Sequence, residues 1–199
     1  MNIKKVLTLL LLLLFISSCS IHKSILEIPN NEYSGPYQYS EVQTAYPELY
    51  RNASDYIDRK NYKKAESIYR EIISMESNIA DGYVGLATSL SLQNREVEAI
   101  EVYKDALKIT SDSVDAYIGL GSALYSLEMY EDSLQSYSSA LSIDANNPHG
   151  HWGKALALVK TKRYEEAIEH LNIVLDLVPN SPLAEHAERL LHETLKKIE

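Results

Sequence analysis

From residue 46 onward, apolar and small side chains return at helical spacing in two alternating patterns. One is Gly82-Tyr-Val-Gly-Leu-Ala-Thr-Ser-Leu90, which comes back as Ala116-Tyr-Ile-Gly-Leu-Gly-Ser-Ala-Leu124 and Gly150-His-Trp-Gly-Lys-Ala-Leu-Ala-Leu158. The other is Ala99-Ile-Glu-Val-Tyr-Lys-Asp-Ala-Leu-Lys-Ile109, repeated as Ser133-Leu-Gln-Ser-Tyr-Ser-Ser-Ala-Leu-Ser-Ile143. The same step of 34 residues reaches back to Ala65-Glu-Ser-Ile-Tyr69 and forward to Ala167-Ile-Glu-His-Leu171. In the second pattern the small residue, the aromatic four later and the small residue three after that share one helical face. Each unit is therefore predicted as two helices, A and B. Short polar turns such as Gln93-Asn94-Arg95 and Thr161-Lys162-Arg163 join them. Neither helix buries its apolar stripe alone, so the units must stack, and a fixed period of this length is the mark of stacked repeats.

These units resemble the tetratricopeptide repeat, whose 34-residue pattern is W-x₂-L-G-x₂-Y, then A-x₃-F, then P. The leading aromatic falls on Leu49, Tyr83, Tyr117 and His151, and the glycine on Ala53, Ala87, Gly121 and Ala155. The central alanine is Ala65, Ala99, Ser133 and Ala167, the phenylalanine is Tyr69, Tyr103, Tyr137 and Leu171, and the closing proline is met by Pro179. The resemblance implies an all-α, right-handed solenoid of four units, 46–79, 80–113, 114–147 and 148–181. Asn147-Pro148 and Ser181-Pro182 read as helix starts, a capping residue followed by a proline in the first turn. The second opens a final helix within 182–199, with Leu183, Ala187, Leu190, Leu191, Thr194 and Ile198 on one side and charged residues on the other. Such a helix caps the exposed end of a repeat array.

In this repeat family the second stripe of the A helices lines a concave groove for peptides or partner helices. The resemblance assigns that stripe to Tyr50, Val84, Thr88, Ile118, Ser122, Tyr125, His149, Trp152 and Leu156. The Lys and Asn that clamp a peptide carboxylate in chaperone-binding members are missing. A groove of Tyr, Trp and aliphatics suits an apolar helix or extended segment, with aromatic anchors. Tyr125 and Trp152 are expected off the packing stripe and near one another. The other reading is that Trp152 and Ile118 pack within the superhelix.

The N-terminal end changes the picture. Lys4 and Lys5 precede an uncharged run from Val6 to Ile16. That run is shorter than the about 20 residues a spanning helix needs, and it fits a signal peptide over 1–18. It closes on Ile16-Ser-Ser-Cys19, which resembles a bacterial lipobox, and Cys19 is the only cysteine. The resemblance implies cleavage before Cys19, a diacylglyceryl thioether on its sulfur and an acylated new amino terminus. An ordinary signal peptide with an incidental cysteine is the alternative. Ser20 follows where an inner-membrane retention aspartate would stand, so the resemblance implies a lipid-anchored protein of the outer membrane, facing the periplasm. Residues 19–45 carry Pro29, Asn30, Asn31, Gly35 and Pro36 and read as a flexible linker spanning roughly 25–30 Å. Its Tyr33, Tyr37 and Tyr39 would also allow it to pack back on the first unit.

Composition removes some functions. Net charge is −9, and −11 once Lys4 and Lys5 leave with the leader. That balance opposes nucleic acid, which needs a basic footprint. A single cysteine excludes an intramolecular disulfide, a CxxC redox pair and a CxxCH haem site. Gly119-Leu-Gly121 lacks the third glycine of a phosphate loop, and His149 and His151, two apart, point about 200° from each other on a helix. No catalytic constellation, metal site or cofactor emerges, the lipid on Cys19 aside. The reading is a non-catalytic interaction scaffold. By resemblance to short lipoproteins of this plan it assists assembly of a tight-adherence or type IV pilus or a secretion machine. An adaptor for peptidoglycan enzymes is the first alternative, and an accessory subunit of an envelope enzyme is one of another class.

Cys19→Ala should leave an unprocessed, lipid-free precursor. Mass spectrometry of the mature protein checks this, and any amino terminus other than an acylated Cys19 contradicts it.

Overall fold

The computed structural model describes residues 46–198, so the leader, Cys19 and the 19–45 linker lie outside the described residues. Among the described residues all regular structure is helical. The A helices are α1 (Pro47–Asp58), α3 (Ala80–Ser91), α5 (Val114–Ser126) and α7 (Pro148–Lys160). The B helices are α2 (Tyr62–Met75), α4 (Glu96–Ile109), α6 (Tyr130–Ile143) and α8 (Tyr164–Leu177), followed by α9 (Pro182–Leu195). This is the all-α helix-turn-helix array that the periodicity predicts.

Local chemistry sets the helix starts. The side chains of Asn61, Ser113, Asn147 and Ser181 accept from the backbone N–H three residues on, capping α2, α5, α7 and α9. Pro47, Pro148 and Pro182 occupy first turns, where a missing N–H costs nothing. The A–B turns repeat as strictly as the helices. Lys60, Asn94, Glu128 and Lys162, each 34 residues apart, take left-handed backbone with φ of 58–61°. The next N–H, of Asn61, Arg95, Met129 or Arg163, then donates to the carbonyl of Tyr56, Leu90, Leu124 or Leu158. Each A helix thus ends with its last carbonyls partly satisfied and the chain reversed.

Each helix packs on its sequence neighbours, and successive A helices α1, α3, α5 and α7 also touch one another. The A helices therefore form the inner layer of the stack. At the far end α9 packs on α8, and Ala187, Leu183, Leu190 and Leu191 cover Ala155, Leu171 and Val174. The helix ends at Leu195, so Ile198 lies beyond it and is exposed, in contrast to its expected place on the buried side.

The units are joined by tyrosine on glycine. Tyr69, Tyr103 and Tyr137 are all buried, and each lies across the glycine sixteen residues later, in the next A helix. A Cβ at Gly85 would stand 2.2 Å from the Tyr69 ring, one at Gly119 2.3 Å from Tyr103, and one at Gly153 2.2 Å from Tyr137. Contacts that short cannot exist, so only glycine admits the ring. At the last junction the pair is Leu171 and Ala187, both fully buried, where a smaller side chain leaves room for a methyl.

Gly119→Ala should therefore destabilise by about 1–3 kcal/mol or more, although alanine is the better helix former. Adding Tyr103→Leu, which copies the last junction, should recover part of the loss. A double-mutant cycle on thermal melting measures this coupling, and additive effects would contradict the interlock.

Candidate functional site

The predicted groove stripe divides in two. Tyr50, Val84, Thr88, Ile118 and Tyr125 are buried, whereas Ser122, His149, Trp152 and Leu156 are half-buried. The buried group corrects the expectation of a continuous open stripe. The physical reason is packing by neighbouring helices, the same unit's B helix on Thr88 and Ile118 and α6, α7 and α8 on Tyr125, which covers positions that a single helix would expose. Tyr50 points into the first seam, its hydroxyl 3.4 Å from where a Cβ of Gly82 would stand, and its ring sits edge-on to Tyr69. Ile118 packs with Tyr137 and Ala140 of its own unit.

Two hydroxyls read as groove surface serve the interlocking tyrosines instead. The Thr88 and Tyr103 hydroxyls lie 3.0 Å apart in a buried hydrogen bond. Ser122 hydrogen-bonds Tyr137, whose phenol is pushed up chiefly by burial, with that bond opposing the shift. Unit four has Leu156 and Leu171 at the same two positions, so hydroxyl and phenol disappear together.

Tyr125 and Trp152 pack with different core clusters. Tyr125 belongs to a cluster with Leu134, Ala157, Leu158 and Ala167, against which Tyr130, Leu156 and Val159 pack. Its phenol is pushed up by burial and then by Tyr130, whose ring is edge-on at 5.4 Å between centroids. Trp152 instead packs on Ala155, Leu171, Val174 and Ala187, and its ring meets His186 of α9 edge-on at 6.4 Å. On α7 the apolar side chains Trp152, Leu156 and Val159 remain partly open. Their spacing of four and three places them on one helical face.

Charge enters at the first turns of the A helices. Asp81, Asp115 and His149 occupy the same position of three successive units, 34 residues apart. Burial raises the Asp81 carboxyl; burial and then the Asp81 charge raise Asp115, with His149 opposing. Burial likewise lowers His149 against the pull of Asp115. Carboxylates in a first turn also complement the helix dipole, which gives the row a structural reason to exist.

Two clusters escaped the sequence reading. Glu66 of α2 accepts from Gln93 at 2.9 Å, Arg95 at 2.7 Å and Arg70 at 2.9 Å, clasping the first unit to the turn of the second. Burial opposes its charge, but the bonds from Gln93 and Arg70 and the Arg95 charge hold its carboxyl below the usual range. Units two to four carry Ile100, Leu134 and Ile168 at this position, so the period gives no sign of it. The second cluster is His151 with His170, whose Nδ1 atoms lie 2.7 Å apart. Two histidines in one unit, standing where the unit before has Tyr117 and Ser136, were the available signal. Among the described residues no group of three or more His, Cys, Asp or Glu is placed to hold a metal ion.

Residues 93–128 and 121–162 match the family model described as TPR repeat, and residues 152–181 match the tetratricopeptide repeat. Residues 93–181 carry tetratricopeptide repeats, and α1–α3 continue the same helix pairing upstream of the matched region. No curated protein matches the chain. Solved structures resemble it in fold. The Yersinia enterocolitica type III secretion chaperone SycD, in complex with a peptide of the translocator YopD, is 20% identical with a TM-score of 0.56, covering 60% of this chain and 94% of SycD. YrrB, a TPR protein with an unusual peptide-binding site, is 19% identical with a TM-score of 0.60, covering 74% and 76% of the two chains. A thermophilic TPR protein of Thermus thermophilus is 16% identical with a TM-score of 0.65, covering 74% and 79%.

Because Tyr125 is core rather than surface, Tyr125→Ala should cost about 3 kcal/mol or more of stability. Denaturant unfolding checks this; an unchanged midpoint would return Tyr125 to the surface.

Proposed function

We propose that this protein is a non-catalytic scaffold that takes an apolar helix or extended segment of a partner on its A-helix layer, centred on Trp152, Leu156 and Val159. The observation that carries this reading is the half-buried state of those three side chains on one face of α7. Each is fixed from behind by a core cluster, so its exposed edge is preorganised. The apolar anchors set the partner's chemistry, and an aromatic anchor of this type contributes most of its energy by burial. SycD with its YopD peptide and YrrB with its peptide site support peptide capture as a use of this fold.

The finer assignment joins this surface to the N-terminal sequence. Acylation at Cys19 would tether the repeats to the periplasmic side of the outer membrane, since two lipid signals already suffice for stable anchoring. A tethered peptide-binding solenoid there suits assembly of a pilus or secretion machine. An adaptor for peptidoglycan enzymes uses the same surface and tether, and an accessory role beside an envelope enzyme uses the tether alone. Recruitment of Trp152 and Leu156 separates the first two from the third, and the identity of the captured partner separates the first from the second.

A photo-crosslinking residue at position 156 should capture a defined envelope protein in cells, whereas one at the exposed Glu131 should not. Trp152→Ala should then weaken that partner by about thirtyfold, the equivalent of about 2 kcal/mol. Melting of the same variant guards against lost folding. Equal capture from both positions, or unchanged affinity in a folded variant, overturns the placement on α7.

A further inference from the structure

The buried His151 reaches out of α7 in two directions. Its Nε2 lies 3.0 Å from the carbonyl of Ala145, in the turn that joins the third unit to the fourth. A carbonyl only accepts, so His151 Nε2 carries the proton and, in the neutral ring, Nδ1 is the acceptor. His170 Nδ1, 2.7 Å away on α8, must therefore be the donor. One tautomer of each ring satisfies the whole chain from Ala145 through His151 to His170. The rings sit 5.0 Å apart at 38°. With one added proton the pair can still share a bond, His151 Nδ1–H donating to a His170 protonated at Nε2, but with both rings charged two N–H groups face each other at a distance that only a hydrogen bond tolerates.

We propose that the His151–His170 hydrogen bond is a proton-sensitive latch, which ties α7, α8 and the preceding turn together when both rings are neutral and releases the last repeat when the rings are protonated. The charges that act on the His170 ring come from both helices of the latch. Lys154 comes from α7 and Glu166 from α8, the latter paired with Arg163 at 2.6 Å. The other titratable groups on the adjoining elements are held elsewhere, Asp144 of the turn accepting from Asn147 at 3.1 Å and His186 of α9 with its Nδ1 2.6 Å from the Pro182 carbonyl. Burial, then Lys154 and His151, push His170 down to about 4, with Glu166 opposing. The sign follows from linkage. Above the ordinary value near 6.5 the ring is neutral folded and unfolded alike. As pH falls below it the unfolded chain takes up the proton first, so stability drains away down to about pH 4. The latch acts on the fold of the last repeat and stands apart from whatever Trp152 binds.

The only tryptophan, Trp152, is the residue after His151 and reports locally. His186 touches its ring and would quench it when protonated, so the measurement uses the full chain carrying His186→Gln. Between pH 7.5 and 5.0 this protein should lose at least about 3 °C more in melting temperature than the same chain with His151→Phe and His170→Leu. Its Trp152 emission should shift over the same range, and that of the latch-free chain should not. Equal losses and equal emission overturn the latch. Should the double variant not fold, ring ¹⁵N shifts of the unsubstituted chain decide. An Nε2–H tautomer at His151 with Nδ1–H at His170 at neutral pH, and a His170 midpoint below 5, support it. Two rings titrating independently near 6.5 overturn it.

Discussion

The contact on which this array depends is a tyrosine ring lying on bare helix backbone. Three times a B-helix tyrosine crosses a glycine of the next A helix at a distance that no Cβ would survive. Glycine inside a helix costs about 0.5–1 kcal/mol relative to alanine. The ring returns more than that, because it removes a large apolar surface from water and fixes the distance between units. Tyr137 shows the geometry most fully, since a Cβ at Gly121 of its own unit would also come within 3.0 Å of it. One ring thus sets both the spacing inside a unit and the spacing to its neighbour.

That solution carries a polar debt, because a buried phenol needs a partner. The same unit's A helix supplies it, Thr88 for Tyr103 and Ser122 for Tyr137. Ser133, standing where the repeat usually has alanine, donates to the Gly121 carbonyl at 2.7 Å and so keeps its own buried hydroxyl satisfied. The fourth unit drops the arrangement whole. Leu156 and Leu171 replace hydroxyl and phenol, and Ala187 replaces glycine. The three changes are one physical decision, since without the phenol neither the hydroxyl nor the bare backbone has a use.

The fold was readable because period and helical spacing are both local, and Ala99, Tyr103 and Ala106 announce a buried face without any knowledge of their neighbours. The caps at Asn147 and Ser181 were readable for the same reason, as each acts within three residues. The site was less so. Ile118 and Tyr125 look like surface on an isolated helix and become core only when the adjoining helices arrive. The clasp on Glu66 spans 27 residues to Gln93 and 29 to Arg95 and occurs once, so repetition cannot flag it. His151 stood in the aromatic position of its unit, which hid its polar function behind its shape.

The departures from the tyrosine-on-glycine rule gather in the last unit, and that follows from its position. Inner units have a neighbour on each side and must present matched tyrosine and glycine to both. The fourth unit meets α9 instead, an amphipathic helix that contributes Leu183, Ala187, Leu190 and Leu191 to a cluster that is aliphatic apart from Trp152. Aliphatic packing is more forgiving of shape than a ring on backbone, and that freedom leaves Trp152 and Leu156 half-open and His151 free to pair with His170. Relaxing the interlock at one end is what gives an otherwise uniform array a distinctive surface and a titratable core. Both sit within a few residues on α7, the last helix to receive a tyrosine on glycine.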